Sequence, residues 1–241
     1  MNDSKRGPRT DAETSVQSSE AGSGRASDIL QGLWNRAMSS RGVWIAPLVV
    51  MLLSLVLELF GDTGRGWLRY DRDQIADGQW WRFLSGNFVH LGWYHLMLNE
   101  IGIVMLVLLC PDRLSPWVWL RRIGIIGIGM TLCLYAFVPS MTRYVGLSGM
   151  LHGLFLLGLG RQALKRDWIA IACLLYLFGK LGYESITGTP VSDEAAIGGR
   201  VALESHFYGT LCALAYGFVF RSFTGGLERP RPYKREREVP E

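Results

Sequence analysis

Two residue types in this chain could together supply a nucleophile and its base. Ser148 stands in Gly146-Leu147-Ser148-Gly149-Met150-Leu151-His152-Gly153, which opens an apolar run ending near Gly160. A free hydroxyl is a weak nucleophile near neutral pH and needs an adjacent base. Histidine, with an unperturbed pKa of about 6.5, suits that task. A serine at a helix start also sits among open backbone N–H groups at the positive end of the dipole, which favours an alkoxide or a nearby oxyanion. Its glycine neighbours let backbone or ligand come close. The same stretch has a second reading as a helix-packing face, because Gly149 and Gly153 form a G-x-x-x-G.

The four histidines are His90, His95, His152 and His206. His206 lies above Gly209, Ala213 and Gly217, small residues repeating every four positions. Such a stripe lets one helix approach another closely, and Gly149/Gly153 offers the matching face. That approach would bring His206 to Ser148; the alternative is a histidine that caps its own helix. His152, four residues after Ser148 on the same face, is the rival base. It lies one turn deeper and shares a backbone with the serine, so it is read as shaping the site through a hydrogen bond. Glu204 is two residues from His206, about 200° around a helix, and points away. A Ser148–His206 pair without a third member is the simpler reading. His95 and Asn99 are i and i+4 neighbours whose N–H groups could hold an oxyanion, or could act as polar glue between helices. No H-E-x-x-H zinc signature is present, and no metal or cofactor is expected.

The elements that must carry these groups are membrane helices. The chain is 49% hydrophobic and only 19% charged, and the charge falls in blocks between long apolar runs. That excludes an ordinary soluble domain. The net charge of +4 is read as basic tails and loops on one membrane side, not as a nucleic-acid surface. Cys110, Cys133, Cys173 and Cys212 lie in or beside apolar segments without a C-x-x-C and are read as packing residues.

Residues 1–42 read as a disordered tail, with a short amphipathic helix near Ile29–Met38. Residues 43–220 form the core. Its expected spans are Val43–Phe60, His95–Cys110, Ile123–Val138 (starting as early as Trp117), Ser148–Gly160, Trp168–Leu181 and Val201–Phe220. Gly61–Val89 reads as a long loop of short interfacial helices, rich in Trp. Glu58 is expected to reach the interface. Residues 221–241 read as a basic tail expected to be disordered. Basic residues concentrate in the 2–3 and 4–5 connections, whereas residues 184–200 hold one Arg against three acids. By the positive-inside rule both termini are cytoplasmic, and the polar cluster gathers near the external face.

This constellation resembles the rhomboid intramembrane serine proteases over residues 43–220. The resemblance rests on His90-x4-His95-x3-Asn99 in span two, G-L-S-G at the start of span four, and a histidine above a small-residue stripe in span six. It implies an all-α, six-transmembrane-helix bundle with a long interfacial loop between helices 1 and 2. It further implies Ser148 as nucleophile, His206 as base, and His95 and Asn99 as oxyanion hole, with His90, Gly146, Gly149 and His152 shaping the site. Within the family, G-L-S-G-M-L-H-G resembles the rhombosortase subfamily of Gram-negative bacteria. That implies a multi-pass protein of the bacterial inner membrane. Its substrates would be single-span surface or secreted proteins with a C-terminal Gly-Gly, an apolar helix and basic residues, cut near the outer face. Two features depart from the pattern: Ser205, where related sequences often carry alanine, and the long polar N-terminal tail. A catalytically silent protein that binds membrane helices is the alternative; a small transporter is disfavoured because no internal repeat is visible.

Overall fold

A computed structural model describes residues 41–112 and 114–224, together with residues 27, 28, 31, 32, 34 and 35. The chain divides into two units, Met1–Ser39 and Ser40–Glu241. In the first, the six described residues are helical. Most of the two tails expected to be disordered, and most of the expected helix at Ile29–Met38, lie outside the described residues; contrary to expectation, residues 41–42 are helical and residues 221–224 form a turn and a 3-10 helix with Ser222 buried.

The second unit is built from helices. They are α1 (Arg41–Leu59), α2 (Gly61–Leu68), α3 (Arg72–Ala76), α4 (Arg82–Ser85), α5 (Trp93–Leu109), α6 (Pro116–Phe137), α7 (Ser148–Ala163), α8 (Trp168–Thr187), α9 (Glu194–Ile197) and α10 (Leu203–Val219). A short 3-10 turn, Ser222–Thr224, follows. Local chemistry sets several boundaries. Ser115 caps α6, accepting from the Val118 N–H, and Pro116 takes the first turn, where its missing donor costs nothing. Asp167 caps α8 through the Ile169 and Ala170 N–H groups, and Gly188 closes it in the left-handed conformation.

Helix α7 is the hub. It is buried on most faces, including Met150, Leu154, Leu157 and Leu159, and it packs against α5, α6, α8 and α10. Its seam with α10 is the closest. A Cβ placed on Gly209 would lie 2.0 Å from the Gly149 carbonyl oxygen, and one on Gly153 would lie 2.5 Å from the Gly209 oxygen and 2.9 Å from Ala213. The expected small-residue faces therefore meet at Gly149, Gly153, Gly209 and Ala213. Gly217 does not join them: it makes room for the ring of Phe223, 2.2 Å from where its Cβ would stand.

Residues 61–92 fold into short helices, as expected of an interfacial loop, with Trp67, Trp80 and Trp81 exposed. An addition to the all-α expectation is an antiparallel pair, β1 (Tyr70–Asp71) with β2 (Arg143–Tyr144). Arg72 continues that tie, donating to the Leu134, Tyr135 and Val138 carbonyls at the open end of α6. Glu58 does not reach outward. It is buried in an ion pair with Arg65 at 3.3 Å, and Arg65 also donates to the His90 carbonyl.

By length and composition α6 and α8 are each able to cross a membrane, and α1 with α2, bent by 116° at their junction, makes a third crossing if counted together. Helices α7 and α10 have 16 and 17 residues, shorter than the roughly 20 needed for a typical bilayer. Apolar side chains such as Leu175 and Phe178 on α8 and Met97 on α5 are exposed.

Gly209→Val should destabilise the fold by on the order of 1–3 kcal/mol through overpacking, seen as a lower thermal unfolding midpoint in detergent. Gly179→Ala, whose added Cβ would meet nothing within 4 Å, should leave the midpoint unchanged or slightly raised. Equal midpoints for the two variants would contradict the seam.

Candidate active site

The starts of α5, α7 and α10 and the end of α8 bring the polar residues to one end of the bundle. Ser148 is the first residue of α7, where backbone N–H groups have no intrahelical partner. Its Oγ lies 3.1 Å from His206 Nε2. His206, in the first turn of α10, is buried. Ser205 beside it is also buried; its hydroxyl donates to the Ala202 carbonyl at 2.7 Å, and its backbone presses on Gly149. The seam of small residues directly beneath sets the distance between serine and histidine.

Both ring nitrogens of His152 are engaged away from the serine hydroxyl, Nε2 with Lys180 Nζ at 3.2 Å. Its Nδ1 donates to the Ser148 carbonyl at 2.7 Å, and its ring stacks on His206 with centroids 4.1 Å apart and planes 16° apart. The histidine four residues on thus holds the first turn of α7 and the plane of the neighbouring imidazole.

Sequence reading stopped at two members, and Glu204 is indeed exposed. The third group comes from elsewhere: Glu184 Oε2 stands 2.9 Å from His206 Nδ1. Glu184 Oε1 accepts from Lys180 Nζ at 2.6 Å, and the same ammonium reaches His152 Nε2 at 3.2 Å. The expected span five ends at Leu181, which leaves Glu184 in the following loop and Lys180 inside the span without a visible partner. The available signal was the pair itself, a lysine and a glutamate at i and i+4 in an otherwise apolar helix.

His95 and Asn99 line the same cavity as Ser148 and His206. The Leu91 N–H approaches His95 Nδ1 at 3.4 Å, which leaves the proton on Nε2 as a donor. Asn99 Nδ2 donates to the His95 carbonyl at 3.0 Å and retains a second amide hydrogen. Gly146 seats the His95 ring: with φ at +116°, its absent Cβ would lie 2.8 Å from His95 Cε1 and Nε2. Tyr144 holds Gly146 in place by donating to its carbonyl, and burial keeps that phenol protonated, its pKa pushed up to about 12.

His90, in the loop before α5, is fully buried and meets the His95 ring edge-on at 5.1 Å. Burial first, then the neighbouring His95 and Arg65, hold its pKa down to about 3. The ring is therefore neutral at pH 7 and props His95 without adding charge. Among the described residues no group of three His, Cys, Asp or Glu side chains is disposed to hold a metal ion.

The cavity has a volume of about 680 Å³ and lies between α5, α7 and α8. One end carries the polar groups. The rest is apolar, with Leu98 and Met105 of α5, Phe155 of α7 and Leu177 of α8. Helices α5 and α8 each pack on α7 but hardly on one another, which leaves the space between them.

The rhomboid domain model matches residues 77–223, more than half of the chain. Over 81 residues the chain is 30% identical to a Bacillus subtilis (strain 168) protein named "Putative rhomboid protease YdcA". That stretch covers 34% of this chain and 41% of the relative, so the chain spans less than half the length of the protein it matches.

Because His90 binds its proton more weakly when folded than when unfolded, the unfolded chain takes up more protons between the two pKa values. His90's contribution to stability is complete above the unfolded value of about 6.5 and is lost progressively as the pH falls towards about 3. The unfolding midpoint in detergent should fall over that window, and His90→Phe should flatten the slope. An unchanged slope in the variant would refute the buried neutral ring.

Proposed function

The chain belongs to the rhomboid family, and from that premise we propose that it is an intramembrane serine endopeptidase acting through Ser148 and His206. The observation that carries the reading is the 3.1 Å contact between Ser148 Oγ and His206 Nε2 at the polar end of the cavity. Helices α1, α5, α6, α7, α8 and α10 serve as the six spans, with a locally thinned bilayer around the short ones.

A substrate segment enters between α5 and α8 and unwinds in part, because a fully helical segment hides its carbonyls in hydrogen bonds. Ser148 Oγ attacks the exposed carbonyl carbon while His206 Nε2 takes the hydroxyl proton. The carbonyl oxygen becomes an oxyanion, held by the Ser148 backbone N–H, His95 Nε2–H and Asn99. Collapse of the tetrahedral intermediate breaks the C–N bond, and His206 returns its proton to the departing amine. Water, activated by the same imidazole, then attacks the acyl-enzyme and regenerates the serine.

The finer reading rests on the G-L-S-G-M-L-H-G resemblance. The substrates are secreted or surface proteins with a C-terminal Gly-Gly, apolar and basic anchor. They are cut near the outer face of a bacterial inner membrane in which both termini of the enzyme are cytoplasmic. Glycine weakens a helix by about 1 kcal/mol per residue, which fits a cut that requires unwinding. A silent helix binder is not favoured, since it has no use for a hydroxyl and an imidazole in contact.

Ser148→Ala should reduce cleavage of a single-span reporter by at least about 10⁴-fold with expression intact. Replacing Gly-Gly by Val-Val in that reporter should slow the wild-type enzyme. Undiminished cleavage by Ser148→Ala would end the proposal; indifference to Val-Val would remove only the anchor specificity.

A further inference from the structure

Helix α8 turns most of its apolar side chains outward, yet it directs one acid and one base inward. The side chains of Lys180 and Glu184 are 14% and 2% exposed. Taking a carboxylate out of water costs several kcal/mol unless it is paired, and apolar residues in the same space often serve stability better. A structural pair needs only one of the two oxygens. Here Oε1 takes the lysine, and Oε2 is aimed at the imidazole that faces Ser148.

An imidazole ring carries its proton on the nitrogen whose partner calls for it. His206 Nε2 can accept a proton from Ser148 only when Nδ1 bears the hydrogen. Two groups compete for Nδ1. Lys180 Nζ, at 3.3 Å, is donor-only and would draw the proton to Nε2, the form that cannot act as base. Glu184, at 2.9 Å, is acceptor-only and draws it to Nδ1. The ammonium is diverted by the carboxylate's other oxygen at 2.6 Å and by His152 Nε2 at 3.2 Å. His152 is able to accept there because its own Nδ1 hydrogen is given to the Ser148 carbonyl.

We infer that Glu184 is a positioning residue that selects the basic tautomer of His206, so that the working unit is Ser148–His206–Glu184 with Lys180 and His152 as its frame. The inference rests on the proposed Ser148–His206 chemistry. It extends the two-member reading with a carboxylate from a third helix.

The test uses the full-length protein in detergent and a fluorophosphonate probe, with labelling rates resolved into a maximal rate and a half-saturating concentration. Ser148→Ala is the control for site specificity. In Glu184→Gln the carboxamide turns its oxygen to Lys180 and its NH₂ to His206, imposing the wrong tautomer; the maximal rate should fall about 10²- to 10⁴-fold with half-saturation unchanged. Glu184→Asp should recover part of the rate. The double variant Lys180→Met/Glu184→Gln removes the ammonium, frees the amide oxygen to accept from Nδ1, and should exceed Glu184→Gln by at least about tenfold. A merely structural pair would not produce that recovery; if Glu184→Gln alone does not fold, Glu184→Asp carries the test, with a maximal rate below the wild type's at unchanged half-saturation expected and an unchanged maximal rate overturning the inference.

Wild-type labelling that survives Glu184→Gln within two-fold overturns the inference while leaving the serine protease reading intact. A double variant no faster than a folded Glu184→Gln overturns it as well. Failure of the wild type to label at Ser148 overturns the protease reading, and this inference with it.

Discussion

The site depends on two backbones touching. Where α7 meets α10, the Gly149 carbonyl occupies the space a Cβ on Gly209 would fill, and Gly153 repeats the contact one turn further along. Any larger side chain there would move the helices apart. Because Ser148 and His206 each lie within a turn of this seam, the 3.1 Å contact follows from residues that carry no chemistry themselves. Close approach in a membrane relies on such small residues, since lipid gives apolar side chains no reason to prefer one another.

Around this fixed pair the remaining parts are adjustable, and each is set by a separate device. His95 is seated by the missing side chain of Gly146, which Tyr144 steadies. His90 stands behind it, neutral and buried, with its carbonyl tied through Arg65 to Glu58. The loop of residues 61–92 is thus the rear wall behind His95. Arg72 and the β1–β2 pair fasten that wall to the end of α6. Polar residues in the loop that look decorative in one dimension are its fasteners in three.

The sequence revealed what is periodic or clustered. The stripes at Gly149/Gly153 and Gly209/Ala213 are helical repeats, and the helix order follows from apolar runs between charge blocks. Other features depend on contacts between distant residues. Gly217 continues the stripe by spacing, but it faces Phe223 and not α7. Glu58 sits at a helix end, where exposure is the default, yet Arg65 seven residues on turns it inward. Glu184 was hidden for a different reason. The polarity that ends an apolar run is the same polarity a buried site uses, so hydropathy cut α8 short by the stretch that carries the third group.

The three helices that carry Ser148, His206 and Glu184 are not held alike, and this sets the order in which those contacts can come apart. Serine and imidazole share the α7–α10 seam, whereas the carboxylate rides on α8, the helix with the cavity on one flank and outward-facing apolar side chains on another. A displacement of α8 that widens the cavity stretches the 2.9 Å bond first and leaves the 3.1 Å contact in place. The same wall that bounds the cavity therefore also carries the carboxylate that orients His206, so the width of the cavity and the setting of the imidazole are one geometric variable.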